Sequence, residues 1–264
     1  MIDEATRVVE HSELSCGYSH LTLEAKEIAA TVAPGQFVHL QVPGLEASAL
    51  RRPFSVLDAD AGRGLLHLLY RRVGRGTAAL NSVMPGDRVM VEGPLGKGFP
   101  LECEGLPVLV GGGYGVAPLY FLARRMVESR AEGAPKPVVF IGGRTKDDLL
   151  ELERFASLGV ETVLSTNDGS EGMQGLVTDA LDMRLAGLKE HGDKFELFAC
   201  GPDGMLKAVA DRAKKHVAKG WISMDRHMVC GVGACYACIQ RTRHGNMRCC
   251  VDGPVFSADD LVWL

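Results

Sequence analysis

The sequence has no long apolar stretch and no large excess of one charge. No hydrophobic run approaches the roughly 20 residues that a transmembrane helix needs, and the net charge of −4 leaves no basic footprint for nucleic acid. Residues 1–14 are acidic and polar, unlike a signal or transit peptide. We therefore expect a soluble, cytoplasmic protein that binds neither membranes nor nucleic acids.

The sequence also lacks the evenly distributed cysteines of a disulfide framework, which a reducing cytoplasm would disfavour. Five of its eight cysteines form one group near the C-terminus. Cys230, Cys235 and Cys238 have the spacing C-x4-C-x2-C, which is typical of thiolate ligands to a [2Fe–2S] cluster. Either Cys249 or Cys250 would be the fourth ligand, and the spacing alone does not distinguish them.

Small residues separate the first two of these cysteines. Gly231, Gly233 and Ala234 would let the backbone adopt positive φ and bring N–H groups close to the sulfurs of a cluster. Zinc also binds four thiolates, but zinc sites usually contain two C-x2-C pairs. The pattern therefore favours an iron–sulfur cluster over zinc.

The first hundred residues predict a closed antiparallel β-barrel, a fold that leaves no exposed sheet edge. Short runs with alternating or β-branched apolar residues, separated by Pro-Gly and similar turns, predict the strands. These runs are 7–14, 20–28, 36–42, 54–58, 65–72 and 87–92. One short helix is predicted at 77–83.

The next part of the chain alternates strands and helices, which predicts an α/β domain with a parallel sheet. The predicted strands are 106–110, 137–141, 160–165 and 195–199, and the predicted helices are 117–130, 146–157, 176–185 and 204–218. We therefore expect an α+β multidomain protein. Its predicted parts are a barrel at 1–100, an α/β domain at 101–222 and a small cysteine-containing subdomain at 223–264.

Three short motifs in the predicted barrel are candidates for binding a cofactor. Their residues are Arg52, Pro53, Phe54, Ser55, Leu69, Tyr70, Arg71, Gly76 and Thr77. The glycine-containing turn that opens the short helix offers free N–H groups and a positive dipole to a phosphate. Arg52 and Arg71 would neutralise a pyrophosphate, and Phe54 or Tyr70 would flank a flat ring. The alternative is a barrel strand that merely begins near a proline.

A glycine-rich motif, 111–118, joins the first strand of the α/β region to a helix. Gly112, Gly113 and Gly115 would let the backbone cradle the phosphates of a dinucleotide, although a merely tight turn is the alternative. Asp168 follows the third strand, either in a plain turn or in contact with a cofactor ribose. A carboxylate there would repel a 2′-phosphate, which favours NAD over NADP, while Arg144 favours the opposite.

These motifs resemble those of the ferredoxin–NADP reductase superfamily. The resemblance implies that the strand beginning at Arg52 holds a flavin and that the turn at Gly76 receives its pyrophosphate. It implies that the 111–118 turn receives the nicotinamide dinucleotide. Phe54 stands where many members have tyrosine, so a ring contact is kept but a hydroxyl hydrogen bond is lost. The superfamily's Cys-Gly-Pro signature beside the nicotinamide is matched by Cys200, Gly201 and Pro202.

The order of barrel, α/β domain and cysteine loop is similar to that of the electron-transfer subunits of class 1B dihydroorotate dehydrogenases. The phrases CGVGACYACI and C-x-D-G-P-V-F carry the resemblance, and the second implies that Cys250 is the fourth ligand. The family implies FAD, NAD(H) and a [2Fe–2S] cluster in this chain. It also implies a partner subunit with FMN and the pyrimidine site, in a heterotetramer of two copies each.

The function that this resemblance implies is an electron relay in pyrimidine biosynthesis. Electrons would pass from the partner's FMN through the cluster and FAD to NAD⁺, with no catalytic acid or base in this chain. One alternative is the small subunit of a flavin-based NADH-dependent ferredoxin–NADP oxidoreductase or sulfide dehydrogenase. The other is a non-enzymatic redox sensor, although the sequence shows no module for binding a regulator.

Overall fold

The N-terminal part folds as a closed, six-stranded antiparallel barrel in the computed structural model, which describes residues 1–45 and 50–263. Its strands are β1 Ile2–Glu13, β2 Tyr18–Glu24, β3 Phe37–Gln41, β4 Arg52–Asp60, β5 Leu65–Arg71 and β6 Arg88–Leu95. They follow one another around the barrel in the order β1-β2-β5-β4-β3-β6. Alternate side chains such as Val38, Leu40 and Val56 fill the interior. The predicted barrel is therefore confirmed.

Two short helices cover the barrel: α1 Lys26–Thr31 and α2 Arg75–Leu80. The first corrects the predicted strand 20–28, which ends at Glu24 in the structure. The Glu4 carboxylate accepts hydrogen bonds from the N–H groups of Glu27 (3.3 Å) and Ile28 (3.1 Å). These N–H groups belong to the first turn of α1 and have no partner within the helix. A residue distant in sequence thus supports the helix.

The second part of the chain forms a seven-stranded sheet in the order β10-β9-β8-β7-β11-β12-β15. Its strands are β7 Leu106–Gly112, β8 Val138–Gly143, β9 Glu161–Thr166, β10 Met173–Gln174, β11 Phe195–Cys200, β12 Gly220–Ser223 and β15 Val255–Ser257. The helices are α3 Val116–Ser129, α4 Leu152–Ser157, α5 Val177–His191 and α6 Asp203–His216. Every pairing is parallel except that of β15 with β12. The predicted parallel-sheet domain is confirmed.

The predicted helix 146–157 is wrong in its first half. Lys146–Asp148 forms a 3₁₀ turn, and α4 begins only at Leu152. Glu151, just before α4, adopts a left-handed conformation with φ 63°, which non-glycine residues seldom do. Its buried carboxylate hydrogen-bonds to His20 of the barrel (2.5 Å) and pairs with Arg154 (3.1 Å). These tertiary contacts hold a break that the sequence pattern does not reveal.

The sequence pattern also does not predict the short strand β10, nor β12 and β15, which follow β11 in the sheet. Between them lies the cysteine segment, with a small hairpin formed by β13 Ile239–Thr242 and β14 Gly245–Arg248. The three predicted domain boundaries stay a prediction. Strand β15 lies in the predicted third part of the chain but belongs to the seven-stranded sheet of the second part. Leu264, the end of that part, lies outside the described residues.

The barrel and the sheet pack against each other chiefly through α3 and β4. Arg124 on α3 pairs with Asp58 of the barrel (2.8 Å) and donates to the Ala59 carbonyl oxygen (2.8 Å). None of the helices within residues 1–45 and 50–263 combines the length and apolarity needed to cross a bilayer.

We expect Arg124→Ala to lower the stability of the protein by about 2 kcal/mol, because it leaves a largely buried Asp58 without its closest cation. Arg125→Ala is the matched control: Arg125 is exposed and makes only a 4.0 Å pair with Glu128, so the expected change is below about 0.5 kcal/mol. Thermal and urea unfolding measure both. Equal effects would contradict a special role for the Arg124 contact.

Candidate flavin, dinucleotide and cluster sites

The predicted flavin strand is the start of β4. Phe54 lies opposite Val38 and packs its ring edge-on against Tyr70, with ring centroids 5.6 Å apart. The Tyr70 hydroxyl hydrogen-bonds with His11 Nε2 (2.8 Å), and burial raises the pKa of Tyr70 to about 12. The structure therefore brings the two rings together. Both are buried in the barrel core, so little of either ring is exposed.

Arg52 crosses the glycine turn at the start of α2. A Cβ added to Gly76 would lie 2.6 Å from Arg52 Nε, so only glycine leaves room for this side chain. Thr77 Oγ1 accepts hydrogen bonds from the N–H groups of Val73 (2.9 Å) and Gly74 (3.2 Å), which fixes the turn. Arg52, Gly76 and Thr77, which are far apart in sequence, thus form one cationic corner.

Tyr18 links the barrel to the glycine-rich turn of the sheet. It lies opposite Arg71 in the β2–β5 register, and the Arg71 guanidinium lies 5.3 Å from the centre of its ring. Its hydroxyl donates to Asp148 Oδ1 (3.2 Å), and a Cβ on Gly113 would lie 3.2 Å from that hydroxyl. The sequence analysis did not single out Tyr18. Only the strand register reveals its position.

The 111–118 turn and the Cys-Gly-Pro motif meet at the carboxyl ends of the neighbouring strands β7 and β11. A Cβ on Gly115 would collide with the Cys200 carbonyl oxygen and lie 2.7 Å from Gly201 N. A Cβ on Gly112 would lie 3.0 Å from Pro202 Cδ. The two motifs therefore lie together beyond these strand ends, where ligands of such sheets bind. Burial raises the pKa of the Cys200 thiol to about 12, so this thiol is neutral.

Asp168 lies in an exposed turn after β9. Its carboxylate accepts hydrogen bonds from the N–H group (3.0 Å) and hydroxyl (2.6 Å) of Ser170, and these bonds lower its pKa. The same hydrogen bonds stabilise the turn that contains Asp168. This is what we expect if Asp168 serves only the turn and does not contact a cofactor. The Arg144 side chain is paired with Asp148 (3.3 Å).

The cysteine loop turns backbone N–H groups toward its sulfur atoms. Cys230 Sγ accepts from Cys235 N (3.4 Å), and Cys238 Sγ accepts from Cys250 N (3.4 Å). Burial alone would raise the pKa of Cys230, but hydrogen bonds from the N–H groups of Cys235, Val232 and Ala234 outweigh burial and lower it to about 7. These N–H groups therefore stabilise a thiolate at Cys230.

Cys249 and Cys250 are both buried, and burial raises the pKa of each thiol to about 12. Their contacts differ. The Cys250 thiol interacts with the Cys238 thiol and accepts from the Gly233 N–H. Cys249 is fully buried in the apolar core, and its backbone N–H donates to the Cys238 carbonyl oxygen (2.9 Å). These contacts favour Cys250 over Cys249 as a ligand.

The four predicted ligands form two pairs, Cys230 with Cys235 and Cys238 with Cys250. Within the part of the chain that the structure describes, no three Cys, His, Asp or Glu side chains are arranged to hold a single metal ion. Two thiol pairs with N–H donors around them fit the ligand set of a two-iron cluster, in which each iron takes two protein ligands.

Arg248 stabilises the same loop. The sequence analysis did not identify this role, because Arg248 lies in a basic stretch. Its guanidinium donates to the Gly233 carbonyl oxygen (3.1 Å) and lies 5.2 Å from the centre of the Tyr236 ring. Asp252 anchors it with an ion pair at 3.3 Å.

Three known protein families match consecutive parts of the chain. Residues 5–99 match an oxidoreductase FAD-binding domain, and residues 109–211 match an oxidoreductase NAD-binding domain. Residues 225–262 match the iron-sulfur cluster binding domain of dihydroorotate dehydrogenase B. The chain is thus an oxidoreductase subunit with FAD-binding, NAD-binding and iron–sulfur domains.

Curated relatives narrow this class. The electron transfer subunit of dihydroorotate dehydrogenase B (NAD(+)) from Geobacillus thermodenitrificans is 41% identical over 249 residues, covering 92% of this chain and 91% of that protein. The corresponding subunit from Bacillus cereus is 39% identical over 264 residues, covering 97% and 96%. This chain therefore belongs to the family of dihydroorotate dehydrogenase B electron transfer subunits.

Solved structures show the same architecture. A chain of the NADH-dependent reduced ferredoxin-NADP oxidoreductase has a TM-score of 0.86 and 30% identity, and the match covers 98% of this chain and 90% of that one. An Amycolatopsis cytochrome P450 reductase has a TM-score of 0.67 and 28% identity over 81% of this chain and 66% of its own.

We expect Gly115→Ala to weaken NADH binding by about tenfold, because the added methyl group pushes the 111–118 turn away from the Cys-Gly-Pro motif. Gly187→Ala on α5, where a Cβ meets nothing within 4 Å, is the control. It should leave binding unchanged and stabilise the helix by about 0.5 kcal/mol. Titration with NADH measures the affinity. Equal affinity in the two variants would exclude this turn as the dinucleotide contact.

Proposed function

We propose that this chain carries electrons between an FMN-containing dihydroorotate dehydrogenase catalytic subunit and NAD⁺. The observation that carries the proposal is the loop of paired cysteines, which packs against both a flavin-type barrel and a dinucleotide-type sheet. The relatives at about 40% identity support it, because they are electron transfer subunits of dihydroorotate dehydrogenase B (NAD(+)). When bound, FAD supplies hydride exchange with NAD(H) and single-electron exchange with a cluster.

The FAD site in this proposal is the outer corner where β4, β5 and the start of α2 meet. Arg52 and Arg71 supply positive charge for the pyrophosphate, and the N–H groups of the α2 turn supply hydrogen bonds. Phe54 and Tyr70, whose rings are largely buried, offer only the small exposed edges of their rings to the flavin. The remaining contacts that we assign to FAD are Pro53, Ser55, Leu69, Gly76 and Thr77.

The NAD site is the cleft beyond the ends of β7 and β11. The glycine backbone admits the phosphates of the dinucleotide, and the neutral Cys200 thiol allows the nicotinamide to approach without a charge beside it. Asp168 would favour NAD over NADP by repelling a 2′-phosphate. The residues that we assign to this site are Gly112, Gly113, Gly115, Asp168, Cys200, Gly201 and Pro202.

The cluster ligands in this proposal are Cys230, Cys235, Cys238 and Cys250. The backbone N–H groups of the loop stabilise negative charge on the sulfurs and thereby influence the cluster potential. We assign no general acid or base to this chain, because electron transfer through a cluster moves no substrate proton. Proton abstraction from dihydroorotate belongs to the partner, with which we propose a cytoplasmic heterotetramer of two copies each.

A second candidate is the corresponding subunit of an NADH-dependent ferredoxin–NADP oxidoreductase. The TM-score of 0.86 and the coverage of 98% of this chain favour it. The identity of 30% to that chain is lower than the 41% to the dihydroorotate dehydrogenase relative. We therefore place it second.

Purification of the native complex tests the partner. We expect a flavoprotein subunit containing FMN to co-purify in equal amount, and the complex to reduce NAD⁺ when dihydroorotate is added. A complex that reduces NADP⁺ with reduced ferredoxin and does not oxidise dihydroorotate would favour the second candidate. Absence of dithionite-bleachable cluster absorbance, or one zinc per chain, would exclude both.

Separate replacement of the two adjacent cysteines tests the fourth ligand. We expect Cys250→Ser to lose most of the iron, because it removes a thiol paired with Cys238. Cys249→Ser should retain the cluster, although a hydroxyl in the apolar core will lower stability by about 1–3 kcal/mol. Iron and sulfide analysis with EPR of the reduced protein measures both. Retention of a normal cluster in Cys250→Ser would refute the assignment.

A further inference from the structure

His39 lies between the flavin strand β4 and the cysteine loop. It is on β3, directly opposite Pro53 of β4, and only 1% of its surface is exposed. A Cβ added to Gly231 would lie 2.6 Å from His39 Cε1 and 2.7 Å from Nδ1. The nitrogen-bearing edge of the imidazole therefore rests on the backbone beside the first cysteine, and a glycine is needed there.

An aromatic side chain packs against the His39 ring. Phe37 contacts its ring edge-on, with centroids 5.5 Å apart, and lies in the same core as Cys238, Cys249 and Cys250. The outer surface of the barrel thus packs directly against the cysteine segment. His39 contributes a polar side chain from β3 to the contact with the cysteine segment.

One ring nitrogen of His39 lacks a hydrogen-bond partner in the part of the chain that the structure describes. Nε2 is buried and has no hydrogen-bond partner among residues 1–45 and 50–263. Leaving a buried polar atom without a partner costs free energy, and native proteins usually avoid it. Burial and the nearby Arg51 hold the pKa of His39 at about 4, so at neutral pH the ring is uncharged and has one donor and one acceptor nitrogen.

We propose that His39 is a positioning residue for electron transfer: its ring sets the position of the cysteine loop relative to the flavin-binding strand, and Nε2 becomes a hydrogen-bond partner of the cluster-loaded loop. This inference rests on the proposed relay for the presence of the two centres, but not on the identity of the partner subunit. Electron-transfer rates fall steeply with the distance between centres, so a residue that fixes this distance controls the rate.

The first test uses the full-length chain with FAD and cluster bound, reduced by NADH in a stopped-flow instrument. We expect His39→Ala to leave flavin reduction by NADH unchanged and to slow the following reduction of the cluster by about tenfold, because a small displacement of reacting centres costs one to two orders of magnitude. His39→Phe keeps the ring and should recover most of the rate. In both variants the EPR spectrum of the reduced cluster should shift, because Nε2 is absent.

His67→Ala is the matched control. His67 is also a barrel histidine, but it hydrogen-bonds to Thr22 (3.1 Å) and lines a small cavity with His20 and Arg154, on the side of β4 and β5 that faces α4. It should leave the rate and the EPR spectrum unchanged. Parental rate and spectrum in His39→Ala would overturn the proposal. If the parent protein itself shows no cluster reduction by NADH, the proposed relay fails.

A second test alters the close contact between Gly231 and His39. Gly231→Ala and Gly233→Ala both place a Cβ at a positive φ, 71° and 81°, but only the first points at His39; the second meets Val251 and Arg248. Both should lower the iron content per chain. Adding His39→Ala should restore part of the iron in the Gly231→Ala protein and none in the Gly233→Ala protein. Equal behaviour of the two double variants would overturn the assigned contact.

Discussion

The antiparallel pairing of the C-terminal strand with β12 holds the cysteine segment in place. Ser223 pairs with Val255 and Trp221 with Ser257, which adds the end of the chain to the edge of the parallel sheet. Just before this strand, the Gly253 carbonyl oxygen accepts from Lys97 N (2.5 Å) at the end of the barrel. Residues 253–257 therefore contact both the barrel and the parallel sheet. A movement of the cysteine loop relative to the barrel would also disturb its attachment to the sheet.

This arrangement gives the loop two chemical environments. At Cys230, converging N–H groups stabilise a thiolate, and the pKa is about 7. At Cys250, burial opposes a thiolate, and the pKa is about 12. Metal ligation requires deprotonated sulfur, so cluster assembly must supply the free energy for ionising the buried side.

The flavin and dinucleotide regions are joined by contacts of a different kind. Tyr18 bridges Arg71 on the barrel and Asp148 on the sheet, and it touches the glycine turn that follows β7. On the other side of the same interface, Arg124 binds Asp58. The Tyr18 contacts lie just beyond the carboxyl ends of β7 and β8, where ligands of such sheets bind.

Strand periodicity, turn residues and ligand spacing are local properties of the chain. They were therefore enough to predict the two main architectures, the order of the three regions and a cluster-type cysteine site. The remaining features depend on tertiary contacts. Helix α1 depends on Glu4, and the break at Glu151 depends on His20. The preference for Cys250 depends on contacts with Cys238, and the position of His39 under Gly231 depends on strand register. These interactions join residues far apart in sequence, so no local pattern encodes them.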